Sequence, residues 1–345
     1  QLLGQLFEYI LKARGEHLNI LGATSGDTGS AAIAGARGRN NIDIFIMFPE
    51  GKTSPIQELL RTTVADEKVH ARAIDGTFDD CQAILKSIFR DLPFKARWHL
   101  GAVNSVNWAR VLAQVVYYFH AYYAAGQKPL AFSVPTGNFG DIFAGWLAAK
   151  MGLPITQLIL ATNENDILSV FFNTGRYARG EVKFTISPSM DIQVASNFER
   201  FLFYRLGENA EALRGAMESF AETGAFQLDD GAPIDDLICA QAVGREETLA
   251  TITAVHEEEG YLLDPHSAIG TRAAKACRRE ASQPMVTLAT AHPAKFPEAV
   301  LRSGVGTQPE LPPHLADLFD REERFVVLPN DLARVQEHMA SRLKA

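Results

Sequence analysis

Strand and helix alternate along this chain at the spacing of βα units, and that alternation constrains the fold more than any single motif does. Gln1 to Arg14 places Leu2, Leu3, Leu6, Phe7, Ile10 and Leu11 on one helical face, with Gly15 as the stop. Leu18 to Gly22 reads as a short apolar strand, Ser30 to Ala36 as a helix of small residues, and Ile42 to Phe48 as a strand closed by Pro49. Ser54-Pro55 opens another helix, Val69 to Ile74 is a strand, and Thr77 is expected to cap a helix over Phe78 to Arg90. The rhythm breaks between Asp91 and Gly101, which marks the expected domain boundary. Beyond it come a long helix, Val106 to Ala125, capped by Asn104 or Ser105, then a strand over Leu130 to Val134 and a helix over Asp141 to Met151. A second strand and helix follow at Leu158 to Thr162 and Asp166 to Phe172, while Glu181 to Arg205 is less regular. Helices are predicted at Asn209 to Glu222, Glu246 to Glu259 and Pro265 to Arg279. A strand spans Pro284 to Ala289, and a last strand and helix cover Phe325 to Leu328 and Asp331 to Leu343. The expected class is α/β, with parallel sheets covered by helices on their faces.

The 345 residues leave room for two domains. A net charge of −8, with both signs dispersed, argues against a nucleic-acid partner, whose footprint is basic. The most apolar stretch, Val111 to Ala125, is interrupted by Gln114 and His120 and falls short of the roughly 18 residues a membrane span needs. Cys81, Cys239 and Cys277 are too scattered for a disulfide frame or a metal knuckle, so a reducing, cytoplasmic setting is the expectation. No histidine pairing has metal-site spacing.

Ser133-Val-Pro-Thr-Gly-Asn-Phe-Gly-Asp141 follows a strand and opens a helix. Two glycines and an Asn at such a turn let several backbone N–H groups converge, and the helix dipole adds positive potential, so the turn suits a phosphate. The same residues also suit a plain capped turn. Thr24 to Gly29 offers hydroxyls, a carboxylate and glycines at a helix start; it reads either as an anion site or as an N-cap built on Ser25 or Asp27. Asn104, Asn107 and Arg110, at i, i+3 and i+6, would share one helical face suited to a phosphate or carboxylate, or merely cap and decorate the helix. Thr290 and Lys295 lie just past a strand end, where α/β sheets place ligands, or in an exposed loop. Asp264-Pro-His-Ser267 is a helix-start signal, with His266 capping or packed rather than catalytic.

Taken together, these segments resemble threonine synthase, in the branch that includes the bacterial and fungal enzymes. The carriers are Thr24-Ser-Gly-Asp-Thr-Gly29, Asn104-Ser-Val-Asn-Trp-Ala-Arg110, Pro135-Thr-Gly-Asn-Phe-Gly-Asp141, Ser187-Pro-Ser-Met-Asp-Ile192, Asp264-Pro-His-Ser267 and Thr290-Ala-His-Pro-Ala-Lys-Phe296. The resemblance implies a fold-type II pyridoxal-phosphate enzyme with two open twisted α/β domains and the active site in the cleft between them. The expected division is a helix over residues 1–15, a smaller domain over 16–100 and a larger one over 101–345. Gly137, Asn138, Phe139, Gly140 and Asp141 would hold the cofactor phosphate, with Asp141 contributing main chain or capping because its carboxylate repels the anion. Thr290 would meet the pyridine nitrogen. Ser25, Asp27 and Thr28 would hold the substrate carboxylate or the cofactor's ring-oxygen side, and Asn107, Arg110 and Lys295 the substrate phosphate. The implied reaction converts O-phospho-L-homoserine and water to L-threonine and phosphate, by a monomer or homodimer. The resemblance also places the Schiff-base lysine in a Phe-Lys-Asp type segment before Gln1, so no catalytic lysine is expected within these residues. Two other readings stay open at this stage. One is a related lyase acting on a γ- or β-phosphorylated amino acid; the other is a non-catalytic chain that binds a phosphorylated ligand.

Overall fold

The computed structural model describes residues 1–24, 26–104, 107–228 and 234–343. Two compact units are present, residues 1–107 with 311–345, and residues 108–310.

The first unit begins with helix α1 (Leu2–Arg14), closed by Gly15 in the left-handed conformation at φ 66°. It continues through β1 (Leu18–Ala23), α2 (Asp27–Ala36), β2 (Ile42–Pro49), α3 (Pro55–Thr62), β3 (Val69–Asp75), α4 (Phe78–Arg90), α5 (Leu92–Arg97) and β4 (Leu100–Gly101). Every residue of β2 is buried, as a central parallel strand requires. Its side chains alternate: Phe45 and Met47 pack with Cys81, Ile84 and Ile88 of α4, while Ile42, Ile44 and Ile46 pack with Leu11 and Ile33 on the other face. Thr77 caps α4 as expected: its Oγ1 accepts from the Asp80 N–H at 3.2 Å, and Asp80 Oδ2 accepts from the Thr77 N–H at 2.6 Å. A capping box of this kind contributes about 1 kcal/mol.

The second unit comprises α6 (Trp108–Ala124), β5 (Leu130–Pro135), α7 (Gly140–Lys150), β6 (Ile155–Thr162), α8 (Ile167–Thr174), β7 (Arg176–Ala178), α9 (Phe198–Arg205), α10 (Ala210–Thr223), β8 (Ala225–Gln227), β9 (Ile238–Ala242), α11 (Arg245–Glu259), α12 (Pro265–Cys277), β10 (Met285–Thr287) and α13 (Pro297–Arg302). Among the described residues its main sheet is four-stranded, ordered β10-β5-β6-β9 and wholly parallel, with β7 and β8 forming a separate antiparallel ribbon. Leu158 and Leu160 of β6 face one core with Val111, Ile142 and Phe143, and Ile159 and Ala161 face another with Ile269 and Ala273.

The chain then returns to the first unit as β11 (Phe325–Pro329) and α14 (Leu332–Ala340). β11 pairs in parallel with β3, Val327 opposite Ala73, which makes the first sheet β11-β3-β2-β1-β4. Val335 and Met339 of α14 complete the core under α4. Residues 311–345, grouped by the sequence reading with the larger domain, thus belong with the five-stranded sheet of the first unit. Strand pairing across so long a separation leaves no local mark in sequence. The boundary also falls after residue 107 rather than after residue 100, because β4 is hydrogen-bonded to β1. Among the described residues no helix is long and apolar enough to cross a membrane.

Candidate functional site

In each sheet the connections reverse direction at one point. In the second unit the chain leaves β5 for β6 on one side, while β10 comes to lie on the other. In the first unit it leaves β1 for β2, and β4 comes to lie on the opposite side. Open α/β sheets hold ligands outside the strand ends at such points, where two loops diverge and leave a crevice. The candidate segments named from sequence emerge there: 137–141 after β5, 290–295 after β10, residues 24 and 26–28 after β1, and residues 104 and 107 after β4.

The 137–141 turn is built from both sides. Phe139 sits at φ 65°, a left-handed conformation that costs a non-glycine residue roughly 1–2 kcal/mol. Its ring offsets that cost. It is fully buried, with centroids 5.7–5.8 Å from Phe172, Phe198 and Phe201. From below, the Asn138 carbonyl accepts from the Asn197 N–H and Nδ2, each at 3.1 Å, and Asn138 Oδ1 accepts from Ser196 Oγ at 3.2 Å. A Cβ on Gly137 would lie 2.7 Å from the Ser189 carbonyl oxygen, and one on Gly140 would lie 3.1 Å from Asn197 Nδ2. Among the described residues no acceptor meets the N–H groups of Gly137, Asn138, Phe139 or Gly140. Four consecutive donors at the start of α7, in a turn whose underside admits no side chain, fit a phosphate group.

Asp141 turns inward. Its Oδ1 accepts from the Ile142 N–H at 2.8 Å, and its carbonyl accepts from Tyr118 Oη at 2.7 Å. Burial lifts the carboxyl from 3.8 to about 6, against the pull of the nearby N–H groups. Gln114 Oε1 lies 3.4 Å from the Cβ position of Gly140, so the α6 face carrying Gln114 and Tyr118 borders the turn. Arg110 is one turn before Gln114 on that face, half-buried, with burial drawing its guanidinium below its ordinary value. α6 starts at Trp108, so Asn104 and Asn107 precede it and do not share a helical face with Arg110, as the i, i+3, i+6 spacing had suggested. The Asn107 N–H donates to the Asn104 carbonyl at 3.1 Å.

Thr290 is exposed, beyond a strand whose Thr287 pairs with Ser133 of β5. Its N–H donates to Ser267 Oγ at 3.3 Å. Lys295 ends a short 3₁₀ turn, Pro293–Lys295, and is half-buried. Asp264 caps α12, its Oδ1 accepting from the His266 N–H at 2.8 Å. Burial of Asp264 disfavours its charge. Hydrogen bonds from the His266 ring and N–H and from the Ser267 hydroxyl outweigh that penalty and hold the carboxyl below its usual value.

In the first unit Asp27 opens α2 and its Oδ1 accepts from Gln57 Nε2 at 3.3 Å; Thr28 is half-buried in the first turn. Gly26 is the N-cap, rather than Ser25 or Asp27, and Ser25 lies outside the described residues. The sequence reading did not single out Arg61, which is 1% exposed beneath this loop. Its Nε donates to the Gln57 carbonyl at 2.9 Å, one guanidinium nitrogen reaches the Thr24 carbonyl at 3.4 Å, and burial lowers the group to about 10 despite Glu58 and Asp27. Among the described residues no cluster of His, Cys, Asp and Glu could hold a metal ion.

Comparison with known proteins places these loops in context. Residues 4–228 match the family described as pyridoxal-phosphate dependent enzyme, and residues 267–339 match threonine synthase, C-terminal. Over 340 residues the chain is 54% identical to a threonine synthase of Pseudomonas aeruginosa, covering 97% of this chain and 72% of that protein. It superposes on the crystal structure of pyridoxal-phosphate-bound threonine synthase from Brucella melitensis with a TM-score of 0.96 and 49% identity, covering 100% of this chain and 75% of that one. The yeast threonine synthase structure gives 0.92 and 40%, over 98% and 74%.

Proposed function

The chain belongs to the threonine synthase family of pyridoxal-phosphate-dependent enzymes, and on that footing we propose that it converts O-phospho-L-homoserine and water to L-threonine and phosphate. The observation that carries the site assignment is the row of four unmatched N–H groups at the switch point beside β10, in a turn closed to side chains from below. Gly137, Asn138, Phe139 and Gly140 would hold the cofactor phosphate through main-chain donors, and Asp141 would serve by satisfying the Ile142 N–H in the first turn of α7. The Thr290 hydroxyl would meet the ring nitrogen; a hydroxyl, unlike a carboxylate, leaves that nitrogen largely unprotonated. Bound pyridoxal phosphate supplies an electron sink for proton removal from an amino acid. Ser25 and Thr28, with the Asp27 main chain because its carboxylate would repel an anion, would take the substrate carboxylate or the cofactor's ring-oxygen side, their loop pinned from beneath by Arg61. Arg110, Lys295 and Asn107 would meet the substrate phosphate. A partly desolvated guanidinium on the α6 face that borders the cradle is suited to that role.

Product analysis with phosphohomoserine tests the assignment. Threonine and phosphate are expected from the full-length protein; 2-oxobutyrate in place of threonine identifies a lyase instead, and absence of turnover by the full-length protein refutes both. Arg110→Ala is expected to lose about tenfold or more in kcat/KM with phosphohomoserine, and less with an unphosphorylated analogue. Equal losses would remove Arg110 from the phosphate site.

A further inference from the structure

Two motifs read from the sequence, Ser187-Pro-Ser-Met-Asp and Asp264-Pro-His-Ser, have so far only capped a helix and filled a loop. They meet in a continuous hydrogen-bonded path. The Thr290 N–H donates to Ser267 Oγ, which donates to Asp264 Oδ2. Asp264 Oδ1 also meets His266 Nδ1 at 3.0 Å, and the Ser189 N–H donates to His266 Nε2 at 3.2 Å. The Ser189 carbonyl is in turn the atom that a Cβ at Gly137 would strike. Since Ser189 can only donate, Nε2 must accept, which leaves the ring proton on Nδ1, pointing at Asp264.

We infer that His266 is a positioning residue that ties the phosphate cradle to the ring-nitrogen side of one cofactor site. The inference rests on the cofactor assignment above. Three features separate this role from ordinary capping or packing. Asp264 caps α12 through the His266 and Ser267 N–H groups, so the cap itself does not need the imidazole. The ring also packs on Phe296 at a centroid distance of 4.7 Å, which a phenyl group would do as well; the Nε2 link to a different segment is what requires histidine. His266 and Asp264 are 3% and 1% exposed, so water does not stand in for either bond. From its far side the Ser189 segment is fixed by Asp191, which accepts from Asn163 Nδ2 and Thr185 Oγ1, both at 2.7 Å. The segment under Gly137 is therefore held at both ends, and His266 supplies the end that leads to Thr290.

The test measures dissociation constants for pyridoxal phosphate, inorganic phosphate and pyridoxal by equilibrium dialysis, with circular dichroism to verify folding. His266→Phe keeps the ring's shape and loses both bonds. Roughly tenfold weaker binding of pyridoxal phosphate and of phosphate is expected, with pyridoxal changed less than about twofold. His266→Gln can return an acceptor to the Ser189 N–H and should recover most of the loss. Should the Phe variant not fold, His266→Asn, too short to reach Ser189, is read in the same way. Unchanged binding of phosphate ligands, or equal losses for all three ligands, overturns the inference. Gly140→Asp, which crowds and charges the cradle, separates the two levels. If it leaves pyridoxal phosphate binding intact, the cofactor assignment itself fails and the inference with it; if it abolishes binding while His266→Phe does not weaken it, only the inference fails.

Discussion

Replacing Gly137 by alanine adds one methyl group against the backbone of a neighbouring segment. The new Cβ would lie 2.7 Å from the Ser189 carbonyl oxygen and 3.7 Å from both the Ser189 carbonyl carbon and Met190 Cα. The first distance is too short to persist, so one segment must give. Ser189 is tethered through His266, and its loop through Asp191, so the adjustment falls largely on residue 137 and turns its N–H away from the shared focus. Overpacking of this kind costs typically 1–3 kcal/mol. Taken out of ligand binding, that is about 5- to 150-fold in Kd for pyridoxal phosphate. Equilibrium dialysis reads the loss directly, and inorganic phosphate as competitor isolates the cradle's share. A folded Gly137→Ala protein that binds both ligands as tightly as the parent would refute the reasoning, since it would mean that the turn's geometry is not what holds the anion.

Two further predictions concern stability. The Asp141 carboxyl is lifted from 3.8 to about 6, so the folded protein keeps a proton that the unfolded chain has released; this stabilisation is complete below about pH 3.8 and is lost as pH rises through about 6. A lift of this size corresponds to about 3 kcal/mol, and Asp141→Asn, which keeps an oxygen for the Ile142 N–H, should be more stable than the parent by on the order of 1–3 kcal/mol at about pH 8 and not at about pH 4. Urea unfolding at both pH values checks this, and parallel curves for the two proteins would show that Asp141 does not titrate in this way. Gly215, exposed within α10, has no atom within 4 Å of its Cβ position, so Gly215→Ala should stabilise the protein by about 0.5–1 kcal/mol in the same assay with ligand affinity unchanged. A destabilised variant would mean that α10 meets something at that face.

What the sequence revealed, and what it did not, follows from how far each feature reaches along the chain. β1, β2, β5 and β6 are local apolar runs bounded by turn residues, and they lie where periodicity put them. β9, Ile-Cys-Ala-Gln-Ala, was missed because its small and polar residues carry little strand preference; its place comes from pairing with β6. α9 was hidden in a stretch read as irregular, although Phe198, Phe201 and Leu202 do face the core. The turn at 137–141 was legible from its glycines and its place between strand and helix. The anchoring of Phe139 was not, since that depends on aromatic rings from α8 and α9. Arg61 acts through Thr24, distant in sequence, and shows no pattern at its own position; His266 lies in a legible helix-start signal, but its bond to Ser189 reaches too far along the chain to leave a local mark.

The pairing of β3 with β11 has a consequence for how the molecule is born. A ribosome delivers β3 early and its neighbour late, with the entire contiguous 108–310 unit in between. Throughout that interval the nascent chain carries a bare parallel edge, the kind of flank that invites wrong partners or calls for a chaperone. Translation halted shortly before Phe325 would release a finished second unit joined to a sheet that lacks its edge strand.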